Sequence, residues 1–550
     1  MSGGRQVYIA GVGLTKVDLT GKVFGSVFDL FQDAFYRALE SASLRGAGGR
    51  GGAGGRAGGD VRDFDAIQVG IMDSEEFEGR ANIAAKIADR LGLTGVPAVR
   101  SETASSTGAA AFHEACYKIR SGAADTVLVI AGERMKTVTT ADATKIMSKT
   151  VDPVERRFGF TMPALIALVT QAFFRERGIQ GPEVADVLAR LMNRSHALGA
   201  DNPMAAFTGR PEPLSAYYDA KKNLPVATPL HRKDCSPICD GAAAVVLTAE
   251  PQDVRVAGLG AATDTSSLLD REHLSYLDAT RRASAHAYWD AGIADVRQVG
   301  GLVAEIHDAF NSLLPLNLVD LGLFPAEEAV SALIGDGRGD AVPLDPYRNE
   351  HCGPLGRIPV NMSGGLKSRG HPVGGTGLFQ ISELYLQLTR AFPNPRAQAA
   401  DARVGISHSI GGPGNNVYVT LIERSDNDRE VADVPKPAAP QIRRSAPGAP
   451  PAALSGRDAR VEAATTIHVT ADGQGPIHVA LLSIGDRRLF AKLDAPVEPG
   501  AEAMRALAGR RARFLVKDDG DHYFQLVREG WDLPGLWRSM VDKLRGATAS

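Results

Sequence analysis

Two stretches of this chain repeat each other. Residues 7–13 read VYIAGVG and residues 254–260 read VRVAGLG, each a short buried strand that ends in a glycine turn. Each is followed, much later, by a turn of small residues that opens a helix: residues 106–122 (STGAAAFHEACYKIRSG) and the run from Gly375 (GTGLFQISELYLQLTRA). The same order of elements twice in one chain marks an internal duplication. Apolar runs at 125–135, 302–310 and 403–409 alternate with helical stretches, so the expected fold class is α/β, in layers with mainly parallel sheets. A chain of 550 residues, 44% of them hydrophobic, is long enough for two or more domains and a large core.

Composition removes several functions. A net charge of −3 gives no electrostatic footprint for nucleic acid. No apolar run is long enough to span a membrane, and residues 1–7 lack a signal-peptide core, so the expected location is cytoplasmic. Four cysteines in this length point to a reducing compartment rather than a disulfide framework. His231, Cys235 and Cys239 are evenly spaced. Pro237 breaks any helix between them and no second ligand pair exists, so no metal site is expected.

The chemistry concentrates in residues 361–377, NMSGGLKSRGHPVGGTG. Glycine at this density lets the backbone approach a ligand with no Cβ in the way. Pro372 biases His371 toward an extended conformation, and residues 378–391 have helical period, so the loop feeds a helix N-terminus. Free N–H groups and the dipole there favour developing negative charge. A histidine so presented suits acid–base work on a carbonyl compound. The segment GGLKSRGHPVGGTG resembles the histidine loop of thiolases, which form or cleave C–C bonds in acyl-CoA thioesters.

The resemblance covers about residues 5–424. It implies the duplicated thiolase fold (αβαβα), two similar halves packed face to face, and a homodimer or tetramer. Residues 234–246 (DCSPICDGAAAVV) resemble the family motif with a pantetheine-contacting serine, matched by Ser236. The resemblance also sets Gly364 and Gly365 against coenzyme A. In residues 302–310 (LVAEIHDAF) the His-Asp pair is that of the sterol-carrier type. His307 is implied in the oxyanion hole, with Asp308 holding its tautomer or the neighbouring backbone. The Gly411 amide, in IGGPG, matches the second oxyanion donor.

The thiols of the family pattern are missing. Where a cysteine should begin the first buried helix stands Ser105, in Ser105-Ser106-Thr107-Gly108. Cys116 lies eleven residues further, about three helical turns, and cannot reach the same point. The two places where the family keeps its second cysteine hold Ser409 and Ala309. The implied catalytic set is therefore Ser105, His307, His371, Ser409 and Gly411. Serine is a far weaker acid than cysteine, whose pKa is about 8.5, and needs a histidine as base.

The expected domains are a thiolase-like unit at 1–425 with an inserted loop domain at about 136–235, a Pro-rich linker at 426–457, and a small barrel at 458–545. Six prolines between 435 and 451 make the linker extended. Residues 45–60, nearly all Gly, Ala and Arg, read as a flexible surface loop. Alternating polar and apolar runs at 460–527, split by turn signals, make an antiparallel five-stranded barrel. It resembles the OB-fold domains that partner thiolase-like proteins, without their zinc-ribbon cysteines.

Three functions follow. Ser105 is acylated with histidine help, and the chain is an acyltransferase on CoA or carrier-protein thioesters. Alternatively no acyl-enzyme forms, and the site supports a retro-aldol or decarboxylative C–C step. In the third, the chain is a silent acyl-CoA-binding scaffold. A scaffold needs neither His307 nor His371, so an active enzyme is expected, with acyl transfer first. Coenzyme A thioester is a substrate here, and no cofactor is bound permanently.

Overall fold

A computed structural model describes residues 4–46, 64–335, 343–439, 451–470, 476–494, 500–518 and 520–527. The strands of the first half are β1 (Tyr8–Leu14), β2 (Ala66–Gly70), β3 (Ala98–Ser101), β4 (Thr126–Arg134), β5 (Pro225–Ala227), β6 (Leu230–His231) and β7 (Asp240–Thr248). The second half adds β8 (Val254–Thr263), β9 (Leu302–Ile306), β10 (Val404–Gly411) and β11 (Asn416–Arg424). The C-terminal part holds β12 (Asp458–Ile467), β13 (Ile477–Ile484), β14 (Arg487–Leu493), β15 (Arg511–Val516) and β16 (His522–Leu526).

The halves share one topology. The first orders its strands β3-β2-β4-β7-β1 and the second β9-β10-β11-β8, and they meet where β1 pairs antiparallel with β8. β2 runs parallel to β3 and β4, while β7 runs antiparallel to β4 and β1. In the second half β9 runs parallel to β10 and to a bridge at Val360, and β11 runs antiparallel to β10 and β8. The sheet is thus mixed, not mainly parallel as expected. The tight turn at 412–415 forces β10 and β11 antiparallel.

The repeated glycines sit inside β1 and β8, not in turns after them. A Cβ on Gly11 would lie 2.5 Å from Ala42 N, and one on Gly13 would overlap Ala34 O. In the second half Gly258 and Gly260 stand in the same relation to Ala287 and Ala283. Each glycine pair is a groove that seats an outer helix, Val27–Gly46 or Asp278–Ala291. Sequence shows the glycine but not the helix that lies on it.

Period-two burial sets the layers. In β4, Leu128 and Ile130 pack toward the outer helices, whereas Val127, Val129 and Ala131 pack toward helix Thr107–Arg120. That helix and its counterpart Thr376–Leu388 lie against each other between the two halves, giving five layers, α-β-α-β-α. Between β4 and β7 the chain makes helices Met162–Glu176 and Pro182–Ala200, within the expected loop domain.

Strands β12–β16 close into a five-stranded barrel, because β12 pairs with both β13 and β15. Its interior holds Val461, Ala464, Leu482, Leu489, Phe514 and Phe524. The barrel is not loosely tethered. Its outward residues Ile467, Val479, Leu481 and Phe490 share one apolar cluster with Phe158 and Phe160 of the loop domain. β5 also adds to its sheet, with Ile467 opposite Ala227, Thr228 N donating to Thr466 O at 3.1 Å and His468 N to Val226 O at 2.9 Å. The Gly/Ala/Arg tract lies outside the described residues from position 47 onward, as do residues 440–450 of the linker.

Candidate active site

Strand and helix ends from both halves deliver the site. β9 stops at Ile306, so His307 and Asp308 emerge at its end, and β10 runs alongside and ends at Gly411. The rings of His307 and His371 cross at 87° with centroids 5.2 Å apart. Both are nearly buried, at 3% and 7% exposure.

Hydrogen bonding sets the two rings in opposite tautomers. Ile410 N–H donates to His307 Nδ1 at 3.2 Å, so the His307 proton sits on Nε2. Thr376 Oγ1 lies 2.7 Å from His371 Nδ1 and donates to Pro372 O at 3.3 Å. With that bond taken as Thr376's one donation, Thr376 accepts from His371 Nδ1–H and leaves Nε2 bare. Among the described residues neither Nε2 has a hydrogen-bond partner. Burial, reinforced by Arg369, pulls His371 down to about 3. Burial and then His371, His408 and Arg369 hold His307 well below the usual histidine value. Both rings are neutral at physiological pH, one offering N–H and the other a lone pair.

The histidine loop is held from below. Asp308 Oδ1 accepts from Leu366 N at 2.6 Å, so Asp308 supports the neighbouring backbone rather than the His307 tautomer. Burial first, against several hydrogen bonds, raises Asp308 to about 6. Ser363 bonds Glu305 Oε2 at 2.8 Å, and Arg369 Nε lies 3.1 Å from Glu383 Oε1 with both side chains buried. Burial and then the Glu383 charge push Glu305 well above the carboxylate range. Gly365 has φ +62° and a Cβ there would overlap Asp308 Oδ2, while Gly364 faces Gly199 of the loop domain. Both glycines therefore meet protein.

Ser105 follows Ala104, whose φ of 53° is left-handed and costs a residue with a Cβ about 1–2 kcal/mol. Four hydroxyl bonds hold this turn: Ser106 Oγ to Thr103 O at 2.8 Å and to Thr103 Oγ1 at 2.9 Å, Thr107 Oγ1 to Ala104 O at 2.6 Å, and Thr103 N to Thr107 Oγ1 at 2.9 Å. The helix Thr107–Arg120 starts directly after, with Ser105 half-buried. The turn touches Gly411, since a Cβ there would lie 2.7 Å from Ser106 Oγ. On its other side Gly108 packs on Gly374 and Leu378, just past His371. Ser105, Gly411, His307 and His371 thus lie on contiguous pieces of backbone. Ser105 Oγ itself has no hydrogen bond to either histidine among the described residues.

Among the described residues Ser409 Oγ is buried without a partner, and a Cβ on Gly377 would lie 3.0 Å from it. Ser236 is half-buried, its N–H on Ala309 O at 2.8 Å, two residues from His307. A cavity of about 710 Å³ reaches Ala104 and Gly411 and opens past Arg100, Glu102 and Lys149. Neither histidine lines it. Among the described residues no His, Cys, Asp and Glu group could hold a metal ion, and no helix is long and apolar enough to cross a membrane. Thr376 and Ile410, which set the tautomers, were not legible beforehand; the one available signal was a threonine opening the helix five residues after His371.

Comparison with known proteins fits this arrangement. Residues 52–198 match the family "Thiolase, N-terminal domain" and residues 260–424 match "Thiolase C-terminal domain-like". A solved structure of a monomeric SCP2-thiolase like protein type 1 from Mycobacterium smegmatis has a TM-score of 0.64 at 16% identity, covering 95% of this chain and 99% of that one. The Ltp2-ChsH2(DUF35) aldolase has a TM-score of 0.59 at 17% identity, covering 78% and 100%. Acetyl-CoA acetyltransferase of Methanothermobacter thermautotrophicus is 32% identical over 434 residues, 76% of this chain and 100% of that protein. The chain belongs to the thiolase family.

Proposed function

We propose that the chain is a thiolase-like acyltransferase that forms or cleaves a C–C bond in an acyl thioester carried by coenzyme A or a carrier protein. The crossed pair of neutral histidines with opposite free nitrogens carries this reading. His371 Nε2 takes a proton from the attacking hydroxyl or the α-carbon. His307 Nε2–H, with the Gly411 amide, donates to the thioester oxygen as it turns negative. One such donor is worth about 10²–10³ in rate. Ser105, at the N-terminal end of a helix, is the acyl acceptor in place of cysteine. Its ester C–O bond forms as the C–S bond to the carrier thiol breaks, and the proton taken by His371 passes to the departing thiolate, with Ser236 on the pantetheine side. Intact-protein mass spectrometry after incubation with acyl-CoA tests the step. The wild type gains one acyl mass and Ser105→Ala does not; turnover without an adduct refutes it.

One observation favours a second reading. Among the described residues Ser105 Oγ has no hydrogen bond to a base, and an unassisted serine hydroxyl is a poor nucleophile. The same histidines then polarise the carbonyl and move a proton in a retro-aldol or decarboxylative step with no acyl-enzyme. The fold likeness to the aldolase agrees with that chemistry. Turnover of Ser105→Ala within about tenfold of wild type selects it, because a hydrogen bond's net worth is about 1 kcal/mol.

The proposed assembly is a homodimer through β3. Among the described residues that four-residue strand pairs only with β2, and Val99 is 49% exposed at the edge. Light scattering at micromolar concentration tests it; a monomer, as described for the M. smegmatis relative, refutes it. The domains are taken as 1–425, 426–457 and 458–545, in a cytoplasmic protein.

A further inference from the structure

Lys367 stands in the histidine loop, four residues before His371, with 4% of its surface exposed. Its ammonium lies 5.4 Å from the centre of the Phe207 ring. Among the described residues it has no hydrogen-bond acceptor and no ion-pair partner. Its Nζ is not among the fully buried unpartnered atoms, so the little surface Lys367 keeps includes the ammonium, whose three donors no protein group among the described residues meets.

The nearby acids are committed elsewhere. Glu212 pairs with Lys233 at 2.8 Å. Asp234 accepts from Tyr217 Oη at 2.8 Å, His231 N at 2.7 Å and Asn311 Nδ2 at 3.1 Å. Burial lowers the Lys367 amine to about 8, against the pull of Cys235, Asp234 and Glu212 and with the push of Lys233. His196, on the adjoining loop-domain helix, is held to about 3, first by burial and then by Lys367.

The position of this cation matters more than its charge. Leu366 N is bonded to Asp308, next to His307. On the other side Ala206 N and Phe207 N of the loop domain bond Arg369 O at 2.8 Å and Ser368 O at 3.2 Å. Cys235 bridges to Phe310, and Ser236 to Ala309. Lys367 therefore occupies the seam between loop domain and core, beside the Ser236 segment and four residues before His371 in the chain.

We propose that Lys367 is a substrate-binding residue whose ammonium donates to an amide carbonyl on the pantetheine arm of the acyl thioester. The contact registers the thioester carbonyl against His371 and His307. It rests on the acyl-thioester reading above, and it explains why a donor is left unpaired in a nearly closed seam.

Lys367→Met keeps the length and removes the charge. The free variant should melt no lower than wild type, since the partly desolvated cation it loses pairs with no protein group among the described residues. Its affinity for a non-hydrolysable acyl-CoA thioether, by calorimetry, should fall about tenfold to hundredfold, the worth of a hydrogen bond from a charged group. A residue that only braces the loop would lower both together. Wild-type affinity should also weaken between pH 7 and 9 as the amine loses its proton, a measurement that needs no variant. In Lys367→Met that dependence should be absent. Equal affinity of variant and wild type, or a wild-type affinity flat over that pH range, overturns the assignment. A wild type that binds no acyl-CoA thioether overturns the acyl-thioester reading as well.

Discussion

Replacing Phe490 by alanine should undock the C-terminal barrel without unfolding it. In β14, Leu489 and Ala491 point into the barrel and Phe490 points out, where its ring lies 4.6 Å from Phe160 and 6.1 Å from Phe158. Phe490 is 1% exposed. Truncating a buried phenylalanine costs about 3–5 kcal/mol, and the aromatic pairs add about 0.5–1.5 kcal/mol to what is lost. The ion pair Arg157–Asp521 spans the same interface at 3.0 Å, but Arg157 is half exposed, and such pairs are worth about 0–1 kcal/mol. The aromatic wedge therefore dominates. Scanning calorimetry should show one transition for wild type and for Arg157→Ala. Phe490→Ala should show a separate, earlier barrel transition, with faster trypsin cleavage between residues 425 and 457. A single unshifted transition in Phe490→Ala, or equal damage from Arg157→Ala, refutes the shared core.

Gly260→Val should abolish soluble expression, because its Cβ would overlap Ala283 O and push the outer helix off β8; a wild-type melting curve would contradict that close approach. Glu133 is fully buried and accepts from Met72 N at 2.8 Å, and burial raises it to about 8 from an ordinary 4.5. Its folded pKa lies above its unfolded one, so its contribution is complete below about pH 4.5 and is lost as pH rises toward 8. Denaturant melts of Glu133→Gln should lose up to about 1.4 kcal/mol per pH unit of that slope; an unchanged slope refutes the assignment. With His371 held to about 3 and His307 also depressed, kcat/KM should show no inflection near 6.5, and a clear one there would contradict the neutral histidine pair.

The duplication and the histidine loop were legible because both are local. Two glycines one residue apart, and a histidine between glycines and a proline, carry their meaning within a dozen residues. What those glycines do was not legible: a glycine that ends a turn and one that admits a helix read alike, and the partners, Ala38 and Ala283, lie distant in sequence. Barrel docking escaped for the same reason. Phe158 and Phe490 are 332 residues apart, and an outward Phe in an alternating strand reads as barrel surface. The tautomers of His307 and His371 depend on Ile410 N and Thr376 Oγ1, so they required coordinates.

In the proposed function, the step common to both readings is that His371 moves a proton at the carbon next to a thioester. It can be tested without knowing the acceptor or whether Ser105 is acylated. Wild-type protein and His371→Ala are incubated with acyl-CoA in heavy water, and deuterium at the α-carbon is followed by mass spectrometry. The wild type should exchange that hydrogen, and His371→Ala should be slower by about 10²–10⁴, the usual worth of a positioned general base. Exchange at the same rate in His371→Ala, or no exchange by the wild type, would contradict the account.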